Sequence, residues 1–356
     1  SNNVAIGAYT LDDNTTASDN TGVGYAVLSA NTTGNNNTGV GVNSLQANTT
    51  ASDNTAVGRN SLIANTTGGS NTAFGSRSLD ANTTASNNTA VGYAALGANT
   101  TGTDNVAVGA YTLDANPTAS QNTAVGYNSI SANTTGARNT ALGYATLDAN
   151  TTANDNTAIG SSALSANTTG VQNTAVGANA LDANTTAHNN TAVGFDALSG
   201  STTASNNTAV GNGALYGTST GSNNAAVGNL ALASNTTGEY NVAVGATAAD
   251  AISTGSLNTA VGYNTLGVAT TASNNTALGA QALALTTSGA NNTAVGMNAM
   301  VTNTTGASNT AVGQAALSSN ATGASNTAVG RQALMANTAS YNTAVGYQSL
   351  YANTTG

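Results

Sequence analysis

The sequence predicts an all-β fold, a β-solenoid (parallel β-roll) with one 17-residue coil per repeat and about 21 coils. Three observations lead there. A glycine following an apolar pair, as in Ala56-Val57-Gly58, stands at 7, 24, 41, 58, 75, 92, 109, 126, 143, 160, 177, 194, 211, 228, 245, 262, 279, 296, 313, 330 and 346. Every interval is therefore 17 residues except the last, which is 16. The phrase around it, "NTAVG", is β-branched and ends in glycine, with neither a capping box nor a 3.6-residue apolar stripe. The composition is that of a repeat array: 5% charged, 4% aromatic, one Pro, no Cys and no Trp.

Each element of the coil follows from its column. Four residues before every glycine stands an Asn, from Asn3 to Asn342, without exception. Asn20, Asn37, Asn54, Asn71 and Asn88 are thus candidates for a buried ladder in which each side chain bonds its equivalents above and below. Turn chemistry alone is the alternative, since Asn tolerates the left-handed region. The stretch "NTAV" is one strand, with Thr and Val facing one way and Ala the other. Ala varies only to Gly, which implies close packing on its face, by a flat coil or a second subunit.

The glycines, among them Gly24, Gly41, Gly58, Gly75 and Gly92, need a positive φ or lack room for a side chain. The two positions after them vary freely and include Arg59, Arg77 and Arg331, which marks a solvent-facing turn. Four after the glycine comes Leu, as at Leu62, Leu79 and Leu96, with Ile130, Ala249 and Met300 as departures. With the small residue before it, this Leu reads as a second short strand. Stacked Val and Leu columns then form buried aliphatic ladders, worth about 1.5–3 kcal/mol per side chain. The "NTT" segment closes the coil. The short last interval falls there, at 336–342, where a surface turn best tolerates a deletion. A weaker 34-residue rhythm, "TTAS" at 15–18 and 49–52 against "TTG" at 32–34 and 66–68, points to duplicated two-coil blocks.

No coil buries its own apolar residues, so neighbours must stack on both sides. At about 4.8 Å between strands this gives a rod on the order of 100 Å. The chain reads as one continuous array over 1–356 without caps. Gly356 ends the frame that Ser1 resumes, so the expectation is a piece of a longer fibre or a subunit stacking head to tail.

The phrases "NNVAIG" at 2–7 and "DNVAVG" at 104–109 resemble the head repeat of trimeric autotransporter adhesins, the YadA-like head. The longer "NTAVGRNSLIANTTG" at 54–68 is similar to repeats of phage tail fibres and bacterial surface fibres. The resemblance implies a left-handed roll assembled as a homotrimer; the adhesin unit is a few residues shorter.

Residues able to carry chemistry are few. His188, the sole His, sits in the closing turn where other coils hold Ser or Asn, and reads as a solvated loop residue. Ser and Thr recur everywhere and single out no nucleophile. No catalytic residue, cofactor or metal is assigned, and no enzymatic activity is expected. Asp80, Asp114, Asp148 and Asp182 recur two coils apart, about 9–10 Å. Calcium ligands lie about 2.3–2.6 Å from the ion, so these carboxylates read as solvated charge. "NTT", as at Asn65-Thr66-Thr67, matches the N-glycosylation pattern on an exposed turn, although the abundance of Asn and Thr generates the match by itself.

A net charge of −9 and only four Arg argue against nucleic acid, and no apolar stretch approaches membrane-spanning length. The expected function is structural: an extracellular fibre segment, the shaft or head of a tail fibre or adhesin on a cell surface or virion. Its partners are further copies of itself and a cell-surface glycan or receptor, with Tyr25, Tyr93, Tyr127, Tyr144, Tyr263 and Tyr347 as contact candidates. The alternatives are a filament stacked head to tail and, remotely, an ice-binding solenoid, which calls for two Thr columns one residue apart in a strand.

Overall fold

The computed structural model describes residues 2–354, so the expectation of in-register ends, which rests on Ser1 and Gly356, lies outside the described residues. The described chain is all-β, built of three-residue parallel strands and turns. It divides into two compact units, Ser1–Asn173 and Thr174–Gly356. The first carries ten strands, from β1 (Val4–Ile6) to β10 (Thr157–Ile159), and the second eleven, from β11 (Thr174–Val176) to β21 (Thr343–Val345). Within each unit, consecutive strands pair in parallel at equivalent residues of adjacent coils. Thr55, Ala56 and Val57 face Thr72, Ala73 and Phe74 in the first unit, and Thr208 faces Ala225 in the second. Each unit is therefore a parallel β-solenoid with a 17-residue coil.

Hydrogen bonding explains why a coil has no independent existence. In the coil of Gly58, the Thr55, Leu62, Ala64 and Thr66 N–H groups donate to Asn71, Ser78, Asp80 and Thr83 of the following coil. Those of Gly58, Asn60 and Ser70 donate to Val40, Val42 and Ser52 of the preceding one. Most of these backbone donors reach a neighbouring coil, while Ser61 and Asn65 N–H donate within their own to Gly58 and Leu62, since buried peptide groups require partners.

The predicted second strand is not one. Leu62 has φ +48° and Asn60 φ +57°, and the equivalent residues repeat this in coil after coil. Two left-handed residues so close together wind the chain into a tight turn that brings both Ser61 and Leu62 inside, each fully buried. The left-handed region costs a non-glycine residue roughly 1–2 kcal/mol. Burying Leu62 returns about 1.5–3 kcal/mol, and its N–H gains a bond to Ser78.

The expected burial of the aliphatic strand column is also corrected. Strand Ala56 is fully buried, while Thr55 is exposed and Val57 partly so. In a strand only alternate residues face inward, and the tight coil gives the inner place to the smallest side chain. The core of each unit is therefore Ala, Leu and Asn, with Val outside. Gly58 meets both of its expected constraints: its φ is +136°, and a Cβ there would stand 2.5 Å from the Gly75 carbonyl oxygen.

The 16-residue interval is absorbed in the closing turn. Asn337 Nδ2 bonds Ala339 two residues on, whereas Asn65 reaches three residues on to Gly68. Strand register is kept, with Thr327 opposite Thr343.

Candidate functional site

The Asn column beginning each coil forms a ladder of mixed type. Asn54 Oδ1 accepts the Asn71 backbone N–H at 2.9 Å, and Asn54 N–H in turn donates to Asn37 Oδ1 at 3.0 Å. Asn20 and Asn37 are related in the same way, as are Asn71 and Asn88. Asn54 Nδ2 donates within its own coil to the Gly68 carbonyl at 2.9 Å. A second Asn, Asn65, donates to that same oxygen at 2.9 Å. The two side chains pinch one carbonyl and so close the coil.

The first column makes amide-to-amide bonds too, as from Asn71 Nδ2 to Asn54 Oδ1 at 3.2 Å, and a second amide ladder runs through the Asn of the segment that closes the coil. In the first unit, Nδ2 of Asn48, Asn65, Asn82, Asn99, Asn116, Asn133, Asn150 and Asn167 each donates to the Oδ1 one coil earlier, at 2.8–3.4 Å. These are the "NTT" asparagines, fully buried. The motif match at these positions therefore falls on inner rather than exposed side chains, since their amide nitrogens are bonded inside the coil.

Two kinds of surface remain for function. The first is the outer strand face, where Thr and aliphatic columns run side by side. In the second unit Val193, Val210, Val227 and Val244 follow one another, each more than a third exposed. The second is a pair of clefts in the first unit at the turn after the glycine. The larger, about 580 Å³, is lined by Arg77, Asp80, Tyr93, Gly97, Tyr111 and Asp114 among others. Tyr93 and Tyr111 meet edge to face at 5.3 Å, and the row continues through Tyr127 to Tyr144 at 6.0 and 5.8 Å. Arg77 Nε donates to Asp80 Oδ2 at 3.0 Å.

Asp80 and Asp114 are not simply solvated, as their spacing had suggested. A Cβ built on Gly97, in the coil between them, would lie 2.8 Å from Asp114 Oδ1 and 3.5 Å from Asp80 Oδ1. Both carboxylates thus lean over the gap that Gly97 leaves. Burial, helped by the Asp80 charge and opposed by Arg77, raises the Asp114 carboxyl above its ordinary value. The smaller cleft, about 340 Å³, is lined by Tyr9, Asp12, Tyr25 and Ser29 among others, with the two rings edge to face at 5.5 Å.

Tyr9 and Tyr111 were missed because they sit two residues after the glycine, whereas Tyr25, Tyr93, Tyr127, Tyr144, Tyr263 and Tyr347 sit one after. A signal existed: "GAYTLD" occurs at 7–12 and again at 109–114. Tyr263 and Tyr347 lie exposed and outside both clefts, Tyr347 beneath the Arg331 guanidinium at 5.9 Å. His188 is exposed, and its backbone N–H donates to Ser205 Oγ at 3.1 Å. Among the described residues no group of three His, Cys, Asp or Glu comes together as a metal site, and no helix is long and apolar enough to cross a membrane. Compared with known proteins, the chain matches no family model and no curated protein.

Proposed function

We propose that the chain is a structural segment of an extracellular fibre, the shaft or head of a tail fibre or adhesin, in which copies associate side by side as a homotrimer. The observation that carries this reading is the outer strand face. Most coils set an aliphatic side chain beside a Thr on the outside of a parallel sheet, with Ala225 and Val242 in place of Thr in two coils of the second unit. Val193, Val210, Val227 and Val244 form an exposed column there. Monomeric proteins rarely leave apolar patches larger than a few hundred Å² uncovered. A repeating chain offers the same strip to each copy, which suits closed symmetric association. The Asn, Gly and Leu columns then serve to hold that strip straight.

Sedimentation equilibrium of the full chain over a wide concentration range tests the assembly. A constant mass three times that of the chain supports the trimer. A monomer at every concentration overturns it, and a mass rising without limit favours the head-to-tail filament instead.

A further inference from the structure

We infer that the clefts bearing "GAYTLD", above all the one between Arg77 and Asp114, are binding sites for a neutral saccharide. The inference deepens the fibre reading by giving the fibre surface a ligand.

The two clefts draw on the same residue types, the neighbouring Tyr coming from the following coil in the smaller cleft and from the preceding coil in the larger. In each, one coil supplies Tyr and Asp from "GAYTLD", as Tyr9 and Asp12 or Tyr111 and Asp114. An adjacent coil supplies a second Tyr from "GYA", as Tyr25 or Tyr93, and the rings meet edge to face in both cases. That adjacent coil also carries a small residue beside the carboxylate, Ser29 or Gly97. The same position holds the larger Ile63 and Gln46 in some coils and a small residue in others, as at Ser131 and Ser165, so the gap makes a cleft only together with the rings and carboxylates around it.

The chemistry selects a polyol. Two tyrosine rings at an angle offer an apolar corner for the C–H face of a pyranose, while their hydroxyls remain polar handles. Asp80 and Asp114 are acceptors for neighbouring sugar hydroxyls, and carboxylate acceptors bond more strongly than neutral ones. Arg77 supplies the donor. A calcium ion asks for six to eight oxygens and would sit in one cleft with a guanidinium. An anionic ligand would face two carboxylates against one Arg. A volume of about 580 Å³ lies within the range of roughly 300–1,000 Å³ usual for small-ligand pockets.

The test titrates the full chain with neutral trisaccharides of gluco, galacto and manno configuration, by calorimetry and by saturation-transfer NMR, beside calcium chloride alone. At least one trisaccharide is expected to bind with Kd of about 0.1–1 mM. Asp114→Asn and Tyr93→Ala are each expected to weaken it at least tenfold, and Tyr263→Ala to leave it unchanged. Gly97→Ile, which installs a residue that another coil accepts at this position, keeps the urea midpoint and abolishes binding. Failure of every trisaccharide to bind overturns the proposal, as does binding indifferent to Asp114→Asn and Gly97→Ile, or a response to calcium alone. Sedimentation reads assembly and titration reads the cleft, so failure of either leaves the other standing.

Discussion

Gly58 is bare because the place of its side chain is taken: the Gly75 carbonyl oxygen would stand 2.5 Å from a Cβ, and φ is +136°. Gly58→Ala meets both obstacles, and since the obstructing atom is backbone it yields poorly. A loss of about 3 kcal/mol or more is expected, read as a lower urea midpoint. Asn54 is constrained by polarity rather than volume. Asn54→Asp removes the donor to Gly68 and sets a carboxylate oxygen against a carbonyl oxygen at a fully buried site. The expected loss at pH 7 is about 3 kcal/mol. A protonated Asp regains an O–H donor, so its pKa in the folded variant lies above the unfolded value. The gap to the wild-type midpoint should therefore narrow as pH falls from 7 to 3. Both columns were legible because one mistake is fatal in any coil. The clefts were less so, because Tyr9 and Tyr111 occupy a column that tolerates almost anything.

At the scale of the coil, the paired asparagines explain both what the sequence conveyed and what it concealed. The "NTT" Asn was visible as a recurrent letter, but its amide ladder depends on the coil closing tightly enough to align equivalent side chains. The Leu turn was misread because a small residue followed by Leu fits a strand as well as it fits alternating left-handed residues. The Val column was misread because aliphatic character suggests burial, while the pleat gives the inside to Ala. In the second unit the amide ladder is interrupted by Ser201, Thr218, Ile252, Ala269 and Thr286. Thr218 Oγ1 and Asn235 Oδ1 are buried without partners there. Thr218→Asn supplies Oδ1 as acceptor for Asn235 Nδ2 and its own Nδ2 for the closing carbonyl of Gly221. A gain of about 1 kcal/mol is expected, checked by urea unfolding.

At the scale of the whole molecule, a chain with 13 acidic and four basic side chains has little electrostatic free energy to lose on acidification. The groups with shifted carboxyls also oppose one another. Burial raises Asp250 above its ordinary value of 3.8, against weaker stabilisation by the backbone at Asp250 and Ala251. The folded chain then holds that proton more tightly than the unfolded one. This contribution to stability is complete below the unfolded pKa and is lost as pH rises through the folded one. Asp155, lowered by its hydrogen bond to Arg138 at the surface, behaves in the reverse sense: its contribution is present above 3.8 and lost as pH falls through the lowered value. Asp250→Asn should accordingly show a higher urea midpoint than wild type at pH 7, and the difference should close by pH 3. A difference that persisted at pH 3 would assign the effect to packing instead. Assembly was legible at this scale only as a general need to stack; the outward Val column that would bring copies together is a product of the coil's cross-section.

The row of amides from Asn31 to Asn167 has a further consequence. From Asn48 on, each donates toward lower residue numbers, Asn31 being the first acceptor, and none is reversed. Strand peptides largely cancel, because Thr55 N–H points to the following coil and Gly58 N–H to the preceding one. Each side-chain amide is comparable to a peptide unit of about 3.5 D, and here they add. The column is thus polar along the stacking direction, every donor facing lower residue numbers, while the surface row of Thr49, Thr66 and Thr83 hydroxyls donates the opposite way, to the coil after.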